Sequence, residues 1–191
     1  MRSKTEIRKE YKQMRSALDS AFCADASKKI CGKILSLDEY KNASTVMSYN
    51  AIKNEAVVDV VTKDALLNGK TLLLPVTNTE TETMYASKLD SFLDITIGNY
   101  GIYEPIKKQA FDEAKIDIVL VPALVYNKDG FRIGYGKGYY DKFFGKCKNA
   151  LKIGVAYSCQ MCDEDFSDAY DIAVDMIVCE DGVIYCGAKK S

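Results

Sequence analysis

The stretch IDIVLVPALVYNKDGFRIGYGKGYYDKFF, residues 116–144, joins an apolar segment to a glycine-rich loop. Its first part, IDIVLVP, is apolar at nearly every position, which is typical of a strand buried in a parallel sheet. Four glycines follow between residues 130 and 138, with Arg132 and Lys137 among them. The next segment, YYDKFFGKC, has the pattern of a helix. A buried strand that leads through a basic glycine loop into a helix predicts an anion-binding site.

Strand and helix patterns alternate on both sides of this stretch. Apolar spacing and turn residues predict helices at residues 3–18, 25–37, 56–69 and 139–147. Strands are expected at residues 44–50, 70–76, 82–89, 117–122, 151–157 and 174–186, the last of these as a hairpin. This order predicts an α/β fold with a mostly parallel central sheet and a short antiparallel edge. Ligands of such sheets bind beyond the carboxyl ends of the strands, where the glycine loop lies.

The composition is that of an ordinary globular protein. The chain has 191 residues, 48% of them hydrophobic and 28% charged, and its formal net charge is −1. We therefore expect a single domain over residues 1–191, no affinity for nucleic acid or for an anionic membrane, and an anion site that is local. Because neither a signal peptide nor a long apolar span is recognisable, we expect a cytoplasmic protein.

The content of cysteine and histidine limits the chemistry. The seven cysteines are expected to be reduced thiols, and Cys159 and Cys162 lack the second pair that a zinc site needs. The chain has no histidine, which excludes Ser-His-Asp triads, Cys-His pairs and histidine metal sites. Proton transfer is left to carboxylates, Lys, Tyr, Cys or the substrate. Any metal is expected to be a hard ion with oxygen ligands, such as Mg²⁺.

The glycine loop carries features of a phosphate site, although it matches no common nucleotide motif. It is not a Walker A loop, because Gly138 follows Lys137. Alternate glycines let the backbone approach a ligand, Lys137 adds positive charge, and the helix that follows adds its N-terminal dipole. A tight strand-to-helix connection also needs glycines, so this structural alternative stays open. Asp141 likewise fits both a plain helix start and a magnesium ligand beside a polyphosphate.

The segment RIGYGKGYYDKF resembles the signature of the 5-formyltetrahydrofolate cyclo-ligase family, also called methenyltetrahydrofolate synthetases. That signature has an arginine, three alternating glycines, two tyrosines and an aspartate. Further segments are similar to family segments in the same order: KTEIRKEYKQMR with Lys4 and Arg8, SYNAIKNEAVV with Glu55, GIYEP, and YDIAVDMIV with Asp171. The resemblance extends over essentially the whole chain.

The resemblance implies a three-layer α/β sandwich and an enzyme. The implied reaction is the ATP- and Mg²⁺-dependent cyclisation of 5-formyltetrahydrofolate to 5,10-methenyltetrahydrofolate, with ADP and phosphate as the other products. Its partners would be these small molecules, and the protein would be a monomer. The implied catalytic residues are Arg132, Lys137 and Tyr139, and the implied magnesium ligands are Asp141 and Asp171. The implied ATP-binding residues are Lys4, Arg8, Arg132, Ile133, Gly134, Tyr135, Gly136, Lys137, Gly138, Tyr139 and Tyr140. The implied folate-binding residues are Asn50, Glu55, Tyr135, Gly136, Lys137, Gly138 and Tyr139.

Plainer interpretations of these residues remain. Lys4 and Arg8, four apart, also fit a solvated basic helix face, and Glu55 fits an ordinary loop acid. Tyr139 and Tyr140 also fit core aromatic residues. Two functional alternatives stay open as well. One is a related ATP-dependent enzyme for another formyl or amide substrate, and the other is a nucleotide- or folate-binding module without catalysis.

Overall fold

The computed structural model describes residues 2–187. Its helices are α1 (Lys4–Ser16), α2 (Ser20–Ser36), α3 (Asp38–Asn42), α4 (Asp59–Leu67) and α5 (Tyr139–Phe144). Its strands are β1 (Thr45–Met47), β2 (Thr71–Asn78), β3 (Thr83–Lys88), β4 (Ile95–Ile97), β5 (Tyr103–Pro105), β6 (Ile118–Pro122), β7 (Val125–Asn127), β8 (Arg132–Ile133), β9 (Leu151–Val155), β10 (Met161–Cys162), β11 (Met176–Val178) and β12 (Val183–Tyr185). Among residues 2–187, no helix has the length and apolar character that crossing a membrane requires.

Seven strands form the central sheet, in the order β12-β11-β9-β6-β1-β2-β3. The five inner strands pair in parallel, and β12 and β3 pair antiparallel at the two edges. The strand predicted at residues 117–122 corresponds to β6, the middle strand of the seven. Its side chains are buried on both faces of the sheet, as its apolar sequence requires. The predicted mostly parallel sheet is confirmed. The predicted hairpin of residues 174–186 forms one antiparallel edge, and β3 adds a second.

Helices cover both faces of this sheet. On one face, Val46 and Leu120 pack with apolar residues of α2, α3 and α4. On the other face, Met47 and Val119 pack with Phe143 and its neighbour in α5. Successive residues of one strand thus serve opposite cores, as the alternation of side chains along a strand requires. The three-layer α/β sandwich is confirmed.

A small sheet in the order β10-β7-β8 lies beside the central sheet and leads into the glycine loop. Ile7 of α1 is buried against Val125 and Ile133 of this small sheet. Helix α1 begins at Lys4 because the Ser3 side chain accepts a hydrogen bond from the backbone N–H of Glu6, whose carboxylate accepts one from the N–H of Ser3. The cap and the apolar contact together fix the first turns of α1 near the glycine loop.

A buried glycine in β9 provides a test of the packing. A Cβ at Gly154 would lie 2.9 Å from Tyr126 Cζ and 3.2 Å from Ile177 Cγ1. We expect Gly154→Ala to lower the free energy of unfolding by about 1–3 kcal/mol through overpacking, measured by urea denaturation. The matched control is Gly32→Ala in α2, where a Cβ meets no atom within 4 Å. There the exchange is expected to raise stability by about 0.5–1 kcal/mol. Equal urea midpoints for the two variants would contradict this description of the core.

Candidate active site

One cavity of about 540 Å³ lies at the carboxyl ends of β1, β2 and β6. Its walls come from the ends of these strands, from the glycine loop and from α1. Every residue to which the sequence analysis gave a site role lines it: Lys4, Arg8, Asn50, Glu55, residues 132–141 and Asp171. The structure therefore brings all these residues together, while their individual roles stay predictions.

The glycine loop forms one wall of the cavity. Gly136 and Gly138 have φ angles of +98° and +65°, in the region that side chains with a Cβ rarely adopt. The backbone N–H groups of residues 135–138 donate to no acceptor among residues 2–187, so they are available to an anion. Helix α5 is shorter than predicted, with six residues. Its dipole is correspondingly small, and loop N–H groups and cationic side chains are the main anion-binding features.

Arg8 ties α1 to the glycine loop. Its Nε donates a hydrogen bond to the Gly134 carbonyl at 2.9 Å. A Cβ at Gly136 would lie 3.6 Å from the Arg8 guanidinium, so the absence of a side chain there leaves the positive group beside the loop backbone. This contact is more specific than the solvated helix face that also fitted the sequence.

The cavity is locally basic on a chain whose formal net charge is −1. Five cationic and three acidic side chains line it. The cations are Lys4, Arg8, Lys53, Arg132 and Lys137, and the acids are Glu55, Asp141 and Asp171. An excess of positive charge confined to one cleft favours a polyanionic ligand.

The two lysines Lys4 and Lys137 pair with carboxylates of the chain itself. Lys4 Nζ lies 2.5 Å from Asp168 and 2.6 Å from Asp171. Burial lowers the pKa of Lys4, but the hydrogen bonds to these two acids outweigh it and raise the pKa overall. Lys137 Nζ donates to Glu82 at 2.5 Å, and this hydrogen bond raises the pKa of Lys137. Both lysines are therefore charged at neutral pH.

Arg132 joins the start of α5 to the segment at residues 171–172. Its guanidinium donates to Asp141 Oδ1 at 2.8 Å and to the Ile172 carbonyl at 2.6 Å, and it packs 4.6 Å from the centre of the Phe144 ring. The N–H of Ile172 also donates to Asp141 Oδ1, at 3.3 Å. Asp141 and Asp171 are thereby held on neighbouring backbone segments.

Each of these two acids has one carboxylate oxygen that no group within residues 2–187 contacts by a hydrogen bond. Asp141 Oδ1 accepts from Arg132 and Ile172, and Asp171 Oδ2 accepts from Lys4 and the Asp168 N–H. Asp141 Oδ2 and Asp171 Oδ1 accept no hydrogen bond from residues 2–187. Within that range, no group of three or more His, Cys, Asp or Glu residues converges as a metal site. The donors present suit a hard cation that takes further oxygens from a ligand.

Glu55 lies in a second wall of the cavity and is 7% exposed. Its Oε2 accepts from the Ile52 N–H at 3.0 Å, and Arg15 Nη1 lies 3.5 Å from its Oε1. Burial raises the pKa of the Glu55 carboxyl, and the nearby charge of Arg15 opposes that rise. Glu55 is thus a buried acceptor beside a fixed positive charge, which is more than an ordinary loop acid.

Aromatic and amide side chains complete the lining of the cavity. Tyr139 and Tyr100 share a hydrogen bond of 3.1 Å, which raises the pKa of Tyr139 to about 12. Tyr139 therefore stays a protonated phenol at neutral pH. Asn50 donates from Nδ2 to the Tyr103 carbonyl at 2.6 Å, which attaches the segment after β1 to β5.

Several lining residues were absent from the sequence-based site. Lys53, Thr77, Met84, Tyr100 and Ile102 all line the cavity. Thr77, Met84 and Tyr100 lie in a stretch, residues 76–100, in which the sequence carried no recognisable motif, whereas Ile102 lies in the matched segment GIYEP. Lys53 had a usable signal, since it lies two residues before Glu55 in the matched segment SYNAIKNEAVV.

The similarity to a known protein family extends over nearly the whole chain. The model of the 5-formyltetrahydrofolate cyclo-ligase family matches residues 1–180. The chain belongs to this family. The predicted family is confirmed, and with it the prediction that the protein is a cyclo-ligase-family enzyme, since the relatives are named as ligases.

Relatives of the cyclo-ligase family match over nearly their full lengths. The 5-formyltetrahydrofolate cyclo-ligase of Mus musculus is 26% identical, with 94% of each chain covered. An NMR structure of Aquifex aeolicus 5,10-methenyltetrahydrofolate synthetase is 32% identical, with a TM-score of 0.87 and coverage of 98% of this chain and 95% of that one. The structure of the Mycoplasma pneumoniae synthetase is 27% identical, with a TM-score of 0.77 and coverage of 94% and 99%. These likenesses extend to the fold as a whole.

Proposed function

We propose that this protein converts 5-formyltetrahydrofolate to 5,10-methenyltetrahydrofolate in a reaction that needs ATP and Mg²⁺ and releases ADP and phosphate. The observation that carries the proposal is the cavity itself. It brings together the basic glycine loop, with Lys4 and Arg8, and the buried acceptor Glu55. One wall suits a polyphosphate, and the other suits a ring system that presents N–H donors.

The basic wall binds ATP. The N–H groups of residues 135–138 and the cations Lys4, Arg8 and Lys137 neutralise the phosphate oxygens. Arg132 holds Asp141 in place and adds positive charge behind the loop. These groups align the terminal phosphoryl group, and alignment with charge neutralisation is the main demand of phosphoryl transfer.

The second wall, around Glu55, binds the folate. The Glu55 carboxylate accepts hydrogen bonds from N–H groups of the pterin ring. The apolar side chains of Met84 and Ile102 offer packing surface for flat rings. Tyr139, whose pKa of about 12 keeps its phenol protonated, donates a hydrogen bond to the formyl oxygen.

The chemistry needs no histidine. The formyl oxygen attacks the terminal phosphorus of ATP, the bond from that phosphorus to the bridging oxygen breaks, and ADP leaves. Nitrogen 10 then attacks the activated formyl carbon, the carbon–oxygen bond breaks, and phosphate departs. Loss of the proton from nitrogen 10 leaves the methenyl bridge. Lys137 stabilises the negative charge that moves across the phosphoryl oxygens.

Asp141 and Asp171 would hold Mg²⁺ through the oxygens that lack protein partners. Mg²⁺ commonly takes one or two carboxylates and completes its shell with substrate phosphates and water. When bound, the ion would neutralise charge on the ATP phosphates. The two acids are themselves held by Arg132 and Lys4.

The test of this function is direct. Purified protein with 5-formyltetrahydrofolate, ATP and Mg²⁺ is expected to produce the methenyl compound, detected by its near-ultraviolet absorbance, and one ADP per turnover. Folate consumption without ATP, or ATP binding without any methenyl product, would contradict the proposal. A competing formyl or amide compound that reacts faster would favour the related-enzyme alternative. Binding of both ligands without turnover would favour the binding module.

Asp141→Asn provides a test of the magnesium site. The amide keeps an acceptor for Arg132 but removes the negative charge that binds the cation. We expect the Mg²⁺ concentration at half-maximal activity to rise by about 10- to 100-fold. The control is Asp165→Asn, which removes an acid that bonds Ser167 outside the cavity. Equal Mg²⁺ dependence of wild type and Asp141→Asn would assign the ion elsewhere.

Three further predictions stay proposals for this chain. We propose that residues 1–191 act as one domain and that the protein works as a monomer in the cytoplasm. Sedimentation of the purified protein addresses the oligomeric state.

A further inference from the structure

Arg15 lies in the last turn of α1 and is 1% exposed. A guanidinium does not lose its charge within a protein, so its burial is unfavourable unless hydrogen-bond acceptors replace water. A buried arginine at the end of an otherwise polar helix therefore has specific partners. Arg15 is absent from the residues that line the cavity, so it does not act on a ligand directly.

The partners of Arg15 come from three segments that meet at the cavity. Its Nη1 donates to the Ala123 carbonyl at 3.0 Å, just after β6, and lies 3.5 Å from Glu55 Oε1. Its Nη2 donates to the Tyr135 hydroxyl in the glycine loop. The backbone carbonyl of Arg15 accepts from Asn54 Nδ2 at 3.2 Å. One residue thus connects the loop assigned to ATP with the acid assigned to the folate.

We propose that Arg15 is a positioning residue. It holds Glu55 as a charged acceptor and fixes the position of Tyr135 of the glycine loop relative to Glu55. This inference rests on the proposed function, because it assigns Glu55 to folate binding. Arg15 then sets the relation between the two walls without touching either substrate. The cyclisation requires such a relation, since the phosphoryl group must reach the formyl oxygen of a folate held on the other wall.

The charges around Glu55 predict the direction in which loss of Arg15 changes the pKa of Glu55. Burial raises the pKa of Glu55, and Arg15 is the first of the groups that lower it. The Ile52 N–H and the Lys53 ammonium lower it as well. The remaining titratable groups around Glu55 are tyrosines with raised pKa values, which are neutral at pH 7: Tyr49, Tyr126, Tyr135 and Tyr140. Without Arg15, burial is opposed less strongly, and Glu55 takes up a proton at higher pH.

The matched control is Gln160. It is also 1% exposed, and its Nε2 donates to the same Ala123 carbonyl at 2.9 Å. Its Nε2 also donates to the Leu124 carbonyl at 2.9 Å, and its Oε1 accepts from the Tyr157 N–H at 2.9 Å. Gln160→Leu therefore removes three buried hydrogen bonds at the same point of the fold. It leaves Arg15, Glu55 and Tyr135 in place, so it reports what loss of structural support alone does.

The experiment is a ¹³C NMR titration of glutamate side-chain carboxyls without substrates, in which Glu55 is the signal missing from Glu55→Gln. Arg15→Met is expected to move the Glu55 midpoint to higher pH, Gln160→Leu to leave it unchanged, and Arg15→Lys to restore it towards the wild-type value. If Arg15→Met does not fold, Arg15→Gln, which can still bond Ala123, is titrated instead. An unchanged midpoint in the titrated variant overturns the inference. An equal shift in Gln160→Leu overturns it too, because loss of structural support alone would then explain the change in the Glu55 midpoint.

Kinetics complete the test. Loss of charge at Glu55 weakens its hydrogen bonds, so Arg15→Met is expected to raise KM for 5-formyltetrahydrofolate by about 5- to 15-fold with little change in kcat. The acidic limb of the activity profile is expected to move to higher pH. A fall in kcat alone would contradict the positioning role. Absence of methenyl product in the wild type would instead reject the proposed function, whereas the substrate-free titration still decides whether Arg15 controls Glu55.

Discussion

Lys137→Met is expected to lower kcat/KM for 5-formyltetrahydrofolate by about 10²- to 10³-fold, the size of loss seen when one preorganised charge-stabilising group is removed. Lys137 is the cation within the glycine loop, and it lines the cavity. Methionine keeps a long unbranched side chain but cannot neutralise the phosphoryl oxygens. The measurement is steady-state ADP release together with formation of the methenyl compound.

Lys142→Met is the matched control for this variant. Lys142 donates from Nζ to the Glu82 carbonyl at 2.9 Å, whereas Lys137 donates to the Glu82 carboxylate. Both lysines therefore contact the same turn, but Lys142 is absent from the cavity wall. Its replacement is expected to change kcat/KM by less than about twofold, since exposed ion contacts contribute only about 0–1 kcal/mol. Similar losses in the two variants would mean that the turn at Glu82, and not the charge of Lys137, supports activity.

Glu55→Gln is expected to lower kcat/KM for the folate by about 10- to 150-fold while the dissociation constant of ATP stays nearly unchanged. The amide keeps the size of the side chain but replaces a charged acceptor, and loss of a charge-assisted hydrogen bond costs about 1.5–3 kcal/mol. Calorimetric titration with ATP and steady-state kinetics with the folate separate the two effects.

Glu180→Gln serves as the control for the same chemical change. Its carboxylate accepts from the N–H and the hydroxyl of Ser158 at 2.9 and 2.7 Å, outside the cavity. Near wild-type kinetics are expected for this variant. If Glu55→Gln weakens ATP binding by as large a factor as it lowers kcat/KM for the folate, the division of the cavity into two walls is wrong.

The parts of the fold that sequence could predict are those that local pattern determines. The strand predicted at residues 117–122 is apolar from Ile118 onward, which only a strand with two buried faces explains well, and residues 118–122 form β6. The end of α4 near Gly69 was predicted for the same kind of reason. Helix α2, however, begins at Ser20 and not at residue 25. Asp19 caps it by accepting from the N–H groups of Ala21 and Phe22, a cap signal that was present in the sequence.

Other elements depend on contacts that local pattern does not contain. Strands β7, β8 and β10 have two or three residues each, too few for any periodicity. Residues 56–58 were predicted as helix but precede α4, because the Tyr49 hydroxyl donates to the Ala56 carbonyl and the Val57 N–H donates to the Ser27 hydroxyl. These tertiary hydrogen bonds replace the first helical turn.

The candidate site likewise contains residues that local sequence pattern could predict and residues that it could not. The glycine loop was recognisable because its residues are contiguous and their spacing is unusual. Arg15 was not, because its hydrogen-bond partners Ala123 and Tyr135 lie 108 and 120 positions further along the chain. In the sequence it is one basic residue of a highly charged helix, and only the folded chain separates it from its exposed neighbours.

On the proposed function, the carboxylates that pair with Lys4 and Lys137 would make ligand binding a form of ion exchange. On the proposed function, a polyphosphate that enters the cavity would displace Asp168 from Lys4 and Glu82 from Lys137 and take their places, so binding would trade one ion pair for another. The Lys137–Glu82 pair is about half exposed on each side and is therefore weak and easily displaced. A monovalent anion gains little from a single exchange, whereas a nucleotide triphosphate makes several at once. On the proposed function, the cavity would thus discriminate among anions by valence before it recognises any other part of the ligand.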